Sequence, residues 1–337
     1  MASHGFDVLA SENLRQVLDF LTIREQFALL SSNKELLSRE PLAPVVVSYC
    51  GQCDACLDKT EHLCGQKFKN ETKDFWTAVL KYSTPTGITE LRLASCDGFD
   101  ASVLKSDGAK AALAPLKVLE LNRCTTMDAE ALGLIADTCG NLKELRFRDM
   151  AVDRTALKKL LKNNAASLRC TQLRDLSLWG CHNVDNASIV HVVQHCSQLE
   201  RLNLRYAHKV DDKISDKGVK TLCESLSGLR SLNLSQCSRL TDAAIMEVAA
   251  SMTRLKELRL WGCAKLTSDS VFFISEGLPE LTLLDLRSRD KLEAVIGGPT
   301  ALKFLIQTYR SKLARWEQAQ DEQTGVFKRH NVVAAAA

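Results

Sequence analysis

The chain has 337 residues, a hydrophobic fraction of 45%, a charged fraction of 25% and a formal net charge of +3 at pH 7, the composition of an ordinary soluble globular protein with ample core. So slight a charge, with Lys and Arg dispersed among Asp and Glu, argues against nucleic acid as a partner. No apolar run approaches the ~20 residues that span a bilayer, so no membrane is expected. The opening Met1-Ala-Ser-His-Gly-Phe-Asp7 has neither the basic nor the apolar region of a secretory signal, which leaves a cytoplasmic or nuclear expectation. The thirteen cysteines are then read mostly as reduced thiols packed as small hydrophobes.

Residues 1 to about 40 carry two apolar sets at helical spacing: Leu14, Val17, Leu18 and Leu21 after Ser11-Glu12, then Phe27, Leu29 and Leu30 after a break at Thr22-Ile-Arg-Glu25. A third short helix is expected over Lys34 to Arg39. Helices this short make little core and generally need a partner surface.

A cysteine-rich stretch follows, Cys50-Gly-Gln-Cys53-Asp-Ala-Cys56, with His62 and Cys64 close behind. Cys-x2-Cys spacing places two thiolates on one metal ion across a tight turn, and Cys64 or His62 can complete a tetrahedron. Cys50, Cys53, Cys56, Cys64 and His62 are therefore candidate ligands of one structural zinc, pinning a core-poor insert at 41–70. An iron–sulfur cluster uses similar spacing, but the fourth ligand and nearby proline are missing. A reduced cysteine-rich loop and a disulfide are the other readings.

From Thr84 to about Pro299 one phrase repeats, Leu-x-x-Leu-x-Leu-x-x-Cys, plainest at Leu173–Cys181, Leu229–Cys237 and Leu255–Cys263. Copies begin at Ile88, Leu116, Leu142, Leu173, Leu199, Leu229, Leu255 and Leu281. A near-fixed period of this size predicts a solenoid. Each Leu-x-Leu alternation is a strand with one buried face, and each is followed by a helical pattern, as after Thr241-Asp242 with Ile245, Val248 and Ala249. One such unit cannot bury its own apolar stripe, so units stack, strands lining a concave face and helices a convex one. Two units are long, taken up by residues 163–169 and 209–216, and insertions in solenoids map to one edge.

After Pro299, Leu302, Leu305, Ile306, Tyr309, Leu313 and Trp316 form an apolar helical stripe, expected to cap the solenoid over 300–320. Residues 321–337 are expected to be a disordered tail. No catalytic constellation is found. His191 and His195 lie at i and i+4 on a convex helix, but Val rather than Glu follows His191, so the zinc-protease pattern fails.

The repeats resemble the cysteine-containing subclass of leucine-rich repeats, in which a Cys follows the strand and Leu-Thr-Asp opens the helix. Cys96, Cys124, Cys181, Cys237 and Cys263 match the Cys position, while Met150, Ala207 and Arg289 depart from it. Thr241-Asp242 matches the helix signature fully, and Met127-Asp128, Val184-Asp185 and Leu266-Thr267 match it in part. Placed before such repeats, the N-terminal stretch resembles an F-box: Leu14, Val17, Leu18, Phe20 and Leu21 match its Ile-x-x-x-Ile-Leu-x-x-Leu run, and Asp74-Phe75-Trp76 to Leu80 looks like its closing Leu-Trp segment. The family's proline after Leu9 and its third-helix aromatic are absent. The alternative for this stretch is a helical cap on the first repeat.

The resemblance implies an α/β leucine-rich-repeat solenoid of about eight units with an F-box-like helical domain over residues 1–83. It also implies a function, that of a non-catalytic substrate-recognition subunit of a cullin–RING ubiquitin ligase. Leu14, Val17, Leu18, Leu21 and Phe27 would dock on the Skp-family adaptor, and the repeats would hold a protein substrate. The other reading is a scaffold subunit of a large assembly, cytoskeletal or ciliary, with a degenerate F-box and a neighbouring subunit on the repeats.

Strand alternation also names the residues that face away from the core. One row runs Arg92, Glu120, Arg146, Ser177, Asn203, Asn233, Arg259, Asp285, and the next Ala94, Asn122, Arg148, Trp179, Arg205, Ser235, Trp261, Arg287. Arg148, Trp179, Arg205, Trp261 and Arg287 read as a ligand-binding stripe favouring an acidic or aromatic peptide. The competing expectation is that neighbouring side chains or the C-terminal helix cover the tryptophans.

Overall fold

The structure is a computed structural model that describes residues 46–50, 73–83, 87–96, 98–152, 154–162, 172–206, 214–286 and 295–297. The Leu-x-Leu alternations become the strands β2 (Glu90–Ala94), β3 (Val118–Asn122), β4 (Glu144–Arg148), β5 (Asp175–Trp179), β6 (Arg201–Asn203), β7 (Ser231–Asn233), β8 (Glu257–Arg259) and β9 (Leu283–Asp285). They pair in sequence order, all parallel, between β1 (Val46–Cys50) and β10 (Val295–Gly297), and only β10 runs antiparallel to its neighbour. The register aligns Leu91, Leu119, Leu145, Leu176, Leu202, Leu232, Leu258 and Leu284 in one buried ladder. A one-residue slip would turn that ladder toward water, which is why the register is fixed.

The helices are α1 (Lys73–Tyr82), α2 (Ala101–Leu104), α3 (Ala109–Leu113), α4 (Ala129–Thr138), α5 (Arg154–Lys162), α6 (Asn186–His195), α7 (Asp216–Ser225), α8 (Asp242–Ser251) and α9 (Ser268–Gly277). From α4 to α9 each packs on the next. Packed helices need about 8–10 Å each where strands need about 4.8 Å, so the stack curves with the sheet inside. The described residues form an α/β repeat solenoid of parallel strands and stacked helices.

Polar groups lock neighbouring units together. Thr241 caps α8 by accepting from Ala243 N–H, and its own N–H and hydroxyl donate to Asp216 one unit earlier, at 2.9 and 2.6 Å. Thr267 repeats the arrangement on Asp242, at 2.9 and 2.7 Å, where the Ser270 hydroxyl also donates. Ser215 varies the arrangement: its N–H donates to Asn186 Oδ1 at 3.1 Å, its hydroxyl accepts from the Asn186 amide at 2.9 Å, and its side chain does not cap its own helix. The Thr-Asp pair is thus a relay, with Thr starting its own helix and Asp holding the next Thr. At the strand ends the buried thiols point back one unit, Cys124 to Leu93 O at 3.6 Å, Cys237 to Leu204 O at 3.8 Å and Cys263 to Leu234 O at 3.2 Å.

Two sets of contacts cross the domain boundary expected at 83/84. β1 lies in the stretch read as a cysteine-rich insert, and it pairs in parallel with β2. Its valine run, with strand propensity but without the leucine phrase, hid it. In α1, Trp76 is fully buried and meets Phe75 and Phe99 edge to face, with centroids at 5.2 and 5.3 Å. The segment read as the close of the F-box therefore packs in the solenoid core, and Lys73 pairs with Asp100 at 2.6 Å across the same boundary. Leu14, Val17, Leu18, Leu21 and Phe27, the C-terminal helix, the tail and both long insertions lie outside the described residues.

Candidate partner-binding face

Residues that alternate with the buried leucines form three rows on the strand face. The two rows nearest the strand starts neutralise themselves. Arg92 pairs with Glu90 at 2.9 Å, and Arg146 bridges Glu144 and Asp175, both at 2.8 Å. Arg201 reaches the same Asp175 at 2.9 Å, and Arg259 pairs with Glu257 at 3.4 Å. Burial disfavours the Arg146 charge, but the hydrogen bond and charge of Asp175, with Glu144 and Glu120, outweigh it and hold the guanidinium pKa above its usual value.

The third row is different in kind. Arg148 lies 3.6 Å over the Trp179 ring. The Arg205 guanidinium sits 5.1 Å from Trp179 on one side and 4.8 Å from Trp261 on the other. Trp261 reaches it across β7, leaving Ser235 buried underneath at 2% exposure. No carboxylate among the described residues lies in ion-pair distance of Arg205, and its Nε is buried without a hydrogen-bond partner there. Four of the five expected stripe residues are thus brought into one stack. Arg287 lies outside the described residues.

Sequence reasoning missed Tyr206. Its ring meets Trp261 edge to face at 5.8 Å and lies 5.2 Å from Arg205. Its backbone is left-handed, φ 53°, and its N–H donates to Ser235 O at 3.2 Å. The position after the stripe is left-handed in each described unit from Ser95 to Gly262. At Gly180 a side chain would also collide, since a Cβ would lie 2.2 Å from Asp149 Oδ1. Unit five carries a tyrosine where its neighbours carry Gly or Gln, and that anomaly was the available signal.

Of the candidate zinc ligands, Cys53, Cys56, His62 and Cys64 lie outside the described residues. Cys50 ends β1 opposite Ala94, in the same register row as the stripe. Among the described residues no cluster of three or more His, Cys, Asp or Glu is placed to hold a metal, and no helix is long and apolar enough to cross a membrane.

No protein-family profile matches the chain. Among solved structures it is similar to a chain in the crystal structure of the Rad7 and Elc1 complex in yeast, with 16% identity over 85% of this chain and 89% of that one and a TM-score of 0.34. A likeness of this size carries no inference about function.

Proposed function

We propose that the chain is a non-catalytic substrate-recognition subunit of a cullin–RING ubiquitin ligase. Leu14, Val17, Leu18, Leu21 and Phe27 dock on a Skp-family adaptor, and the strand face holds a protein substrate. Such a subunit does no chemistry of its own; it raises the effective concentration of substrate lysines near the conjugating enzyme. The Arg148–Trp179–Arg205–Trp261 stack carries the proposal. Trp and Arg dominate interface hot spots, and this row gathers two of each on the strand face. A structural zinc on Cys50, Cys53 and Cys56 with Cys64 or His62 belongs to the same reading, and metal analysis near zero equivalents overturns it.

The test is co-elution of the full chain with a purified Skp-family adaptor, alongside a Leu14→Asp/Leu18→Asp variant. A stoichiometric complex lost in the variant supports the ligase reading. The double substitution Trp179→Ala/Trp261→Ala is expected to keep adaptor binding and abolish capture of the substrate. One observation favours the scaffold reading, because the Leu-Trp segment expected to close the F-box is committed to the repeat core through Trp76. A folded full chain that fails to bind the adaptor makes that the better account.

A further inference from the structure

We propose that Arg205 is a carboxylate receptor, so that the strand face binds an extended acidic peptide with an Asp or Glu side chain paired to this guanidinium. The inference rests on the reading of the face as partner-binding and adds the chemistry of what it takes.

Three observations carry it. First, Arg92, Arg146, Arg201 and Arg259 already hold acids of their own chain, whereas Arg205 has none among the described residues. This half-buried cation lies between two indole rings with its Nε buried and no counter-charge from the described residues, and an incoming carboxylate supplies that charge. Second, aromatic contact and carboxylate pairing are compatible in arginine, because rings engage the face of a planar guanidinium while a carboxylate takes its in-plane N–H edge. Contact with two rings, at 5.1 and 4.8 Å, also restrains the side chain beforehand, which lowers the ordering cost of binding.

Third, the same stack separates the acidic ligand from the aromatic one. Arg148 covers Trp179 at 3.6 Å, Arg205 lies against both indoles, and Tyr206 takes an edge contact with Trp261. On the ring faces these arginines occupy, an aromatic side chain would have to displace one. A carboxylate displaces nothing.

The experiment titrates the full chain at low salt and neutral pH with a short synthetic peptide of alternating Glu and Ser, read by tryptophan fluorescence and calorimetry. Matched peptides carry Gln or Phe in place of Glu. The Glu peptide is expected to bind at least ~10-fold more tightly than the Gln peptide. Arg205→Met should abolish that preference, and Arg92→Met, which removes the same charge from an already paired site, should keep it. Arg205→Lys, which keeps the charge but not the planar edge, should weaken the Glu peptide and serves as the readout if the Met variant does not fold. Equal binding of Glu and Gln peptides, equal losses in Arg205→Met and Arg92→Met, or tighter binding of the Phe peptide overturns the proposal. Adaptor co-elution is scored separately. A chain that binds the adaptor but ignores the Glu peptide sinks only this inference, and the converse sinks only the ligase reading.

Discussion

The thiols show how one residue type takes its character from its place in the fold. Burial pushes Cys96, Cys139, Cys181 and Cys223 up to about 12, with the neighbouring Cys124 adding to the shift at Cys96. Since the thiolate is the nucleophile, these groups should resist maleimide at pH 8 in the folded protein and react on unfolding; labelling read by peptide mass spectrometry checks this. Asp100 shifts the other way. Burial opposes its charge, but hydrogen bonds from Lys73, the Ser102 hydroxyl and the Ser102 and Val103 N–H groups win and bring it to about 2. A depressed carboxylate stabilises the fold fully above its unfolded pKa of about 4 and loses that contribution as pH falls toward 2. The stability gap between the native chain and Asp100→Asn should therefore be flat above about pH 4 and close below it, in urea titrations at stepped pH.

At the scale of the element, the repeat signature is a set of hydrogen bonds between units more than within them. Asp242 accepts from Thr267 N–H, the Thr267 hydroxyl and the fully buried Ser270 hydroxyl, all in the next unit. Asp242→Ala strips three donors at once and should cost about 1–3 kcal/mol, read as a lower urea midpoint with fraying concentrated in α9 by hydrogen exchange. The eight repeat strands β2 to β9, their order and the two outward rows were legible, because period-2 alternation plus a repeat fixes which residues share a face; β1 and β10, which lack the leucine phrase, were not. The Trp261–Arg205 contact was not, since it depends on an indole long enough to reach over a buried serine. The role of Asp in the Thr-Asp pair was equally hidden, because its partner lies 25 residues away along the chain.

For the whole molecule, stability is a sum of units and the interfaces between them, so the ends matter most. The N-terminal end shows where reading a sequence stops. Helical spacing in Phe75-Trp76 to Leu80 says that one face is buried but not against what, and the face belongs to the first repeat. Trp76→Ala should cost about 3–5 kcal/mol and expose β2 and α2 first. Limited proteolysis near Leu93 is the measurement, and an unaltered cleavage pattern would return Trp76 to a separate N-terminal domain. A fragment ending at residue 83 would cut the helix from its core, which is why adaptor binding is best measured on the full chain.

The relay that joins the units also has a direction. Asp216 and Asp242 are acceptors in the earlier unit for donors in the later one, Asn186 both accepts from and donates to Ser215, and the Cys124, Cys237 and Cys263 thiols reach back to carbonyls of the unit before. At these joints a polypeptide leaving the ribosome N-terminus first has the acceptor in place when the donor emerges, whereas at the strand ends the N–H groups of Ser95, Arg123, Asp149 and Gly180 wait for carbonyls of the following unit. Each turn of the solenoid therefore holds its successor twice over, by acceptors at the helix start and by donors at the strand end, so a unit left without a following one keeps unfilled groups at both places.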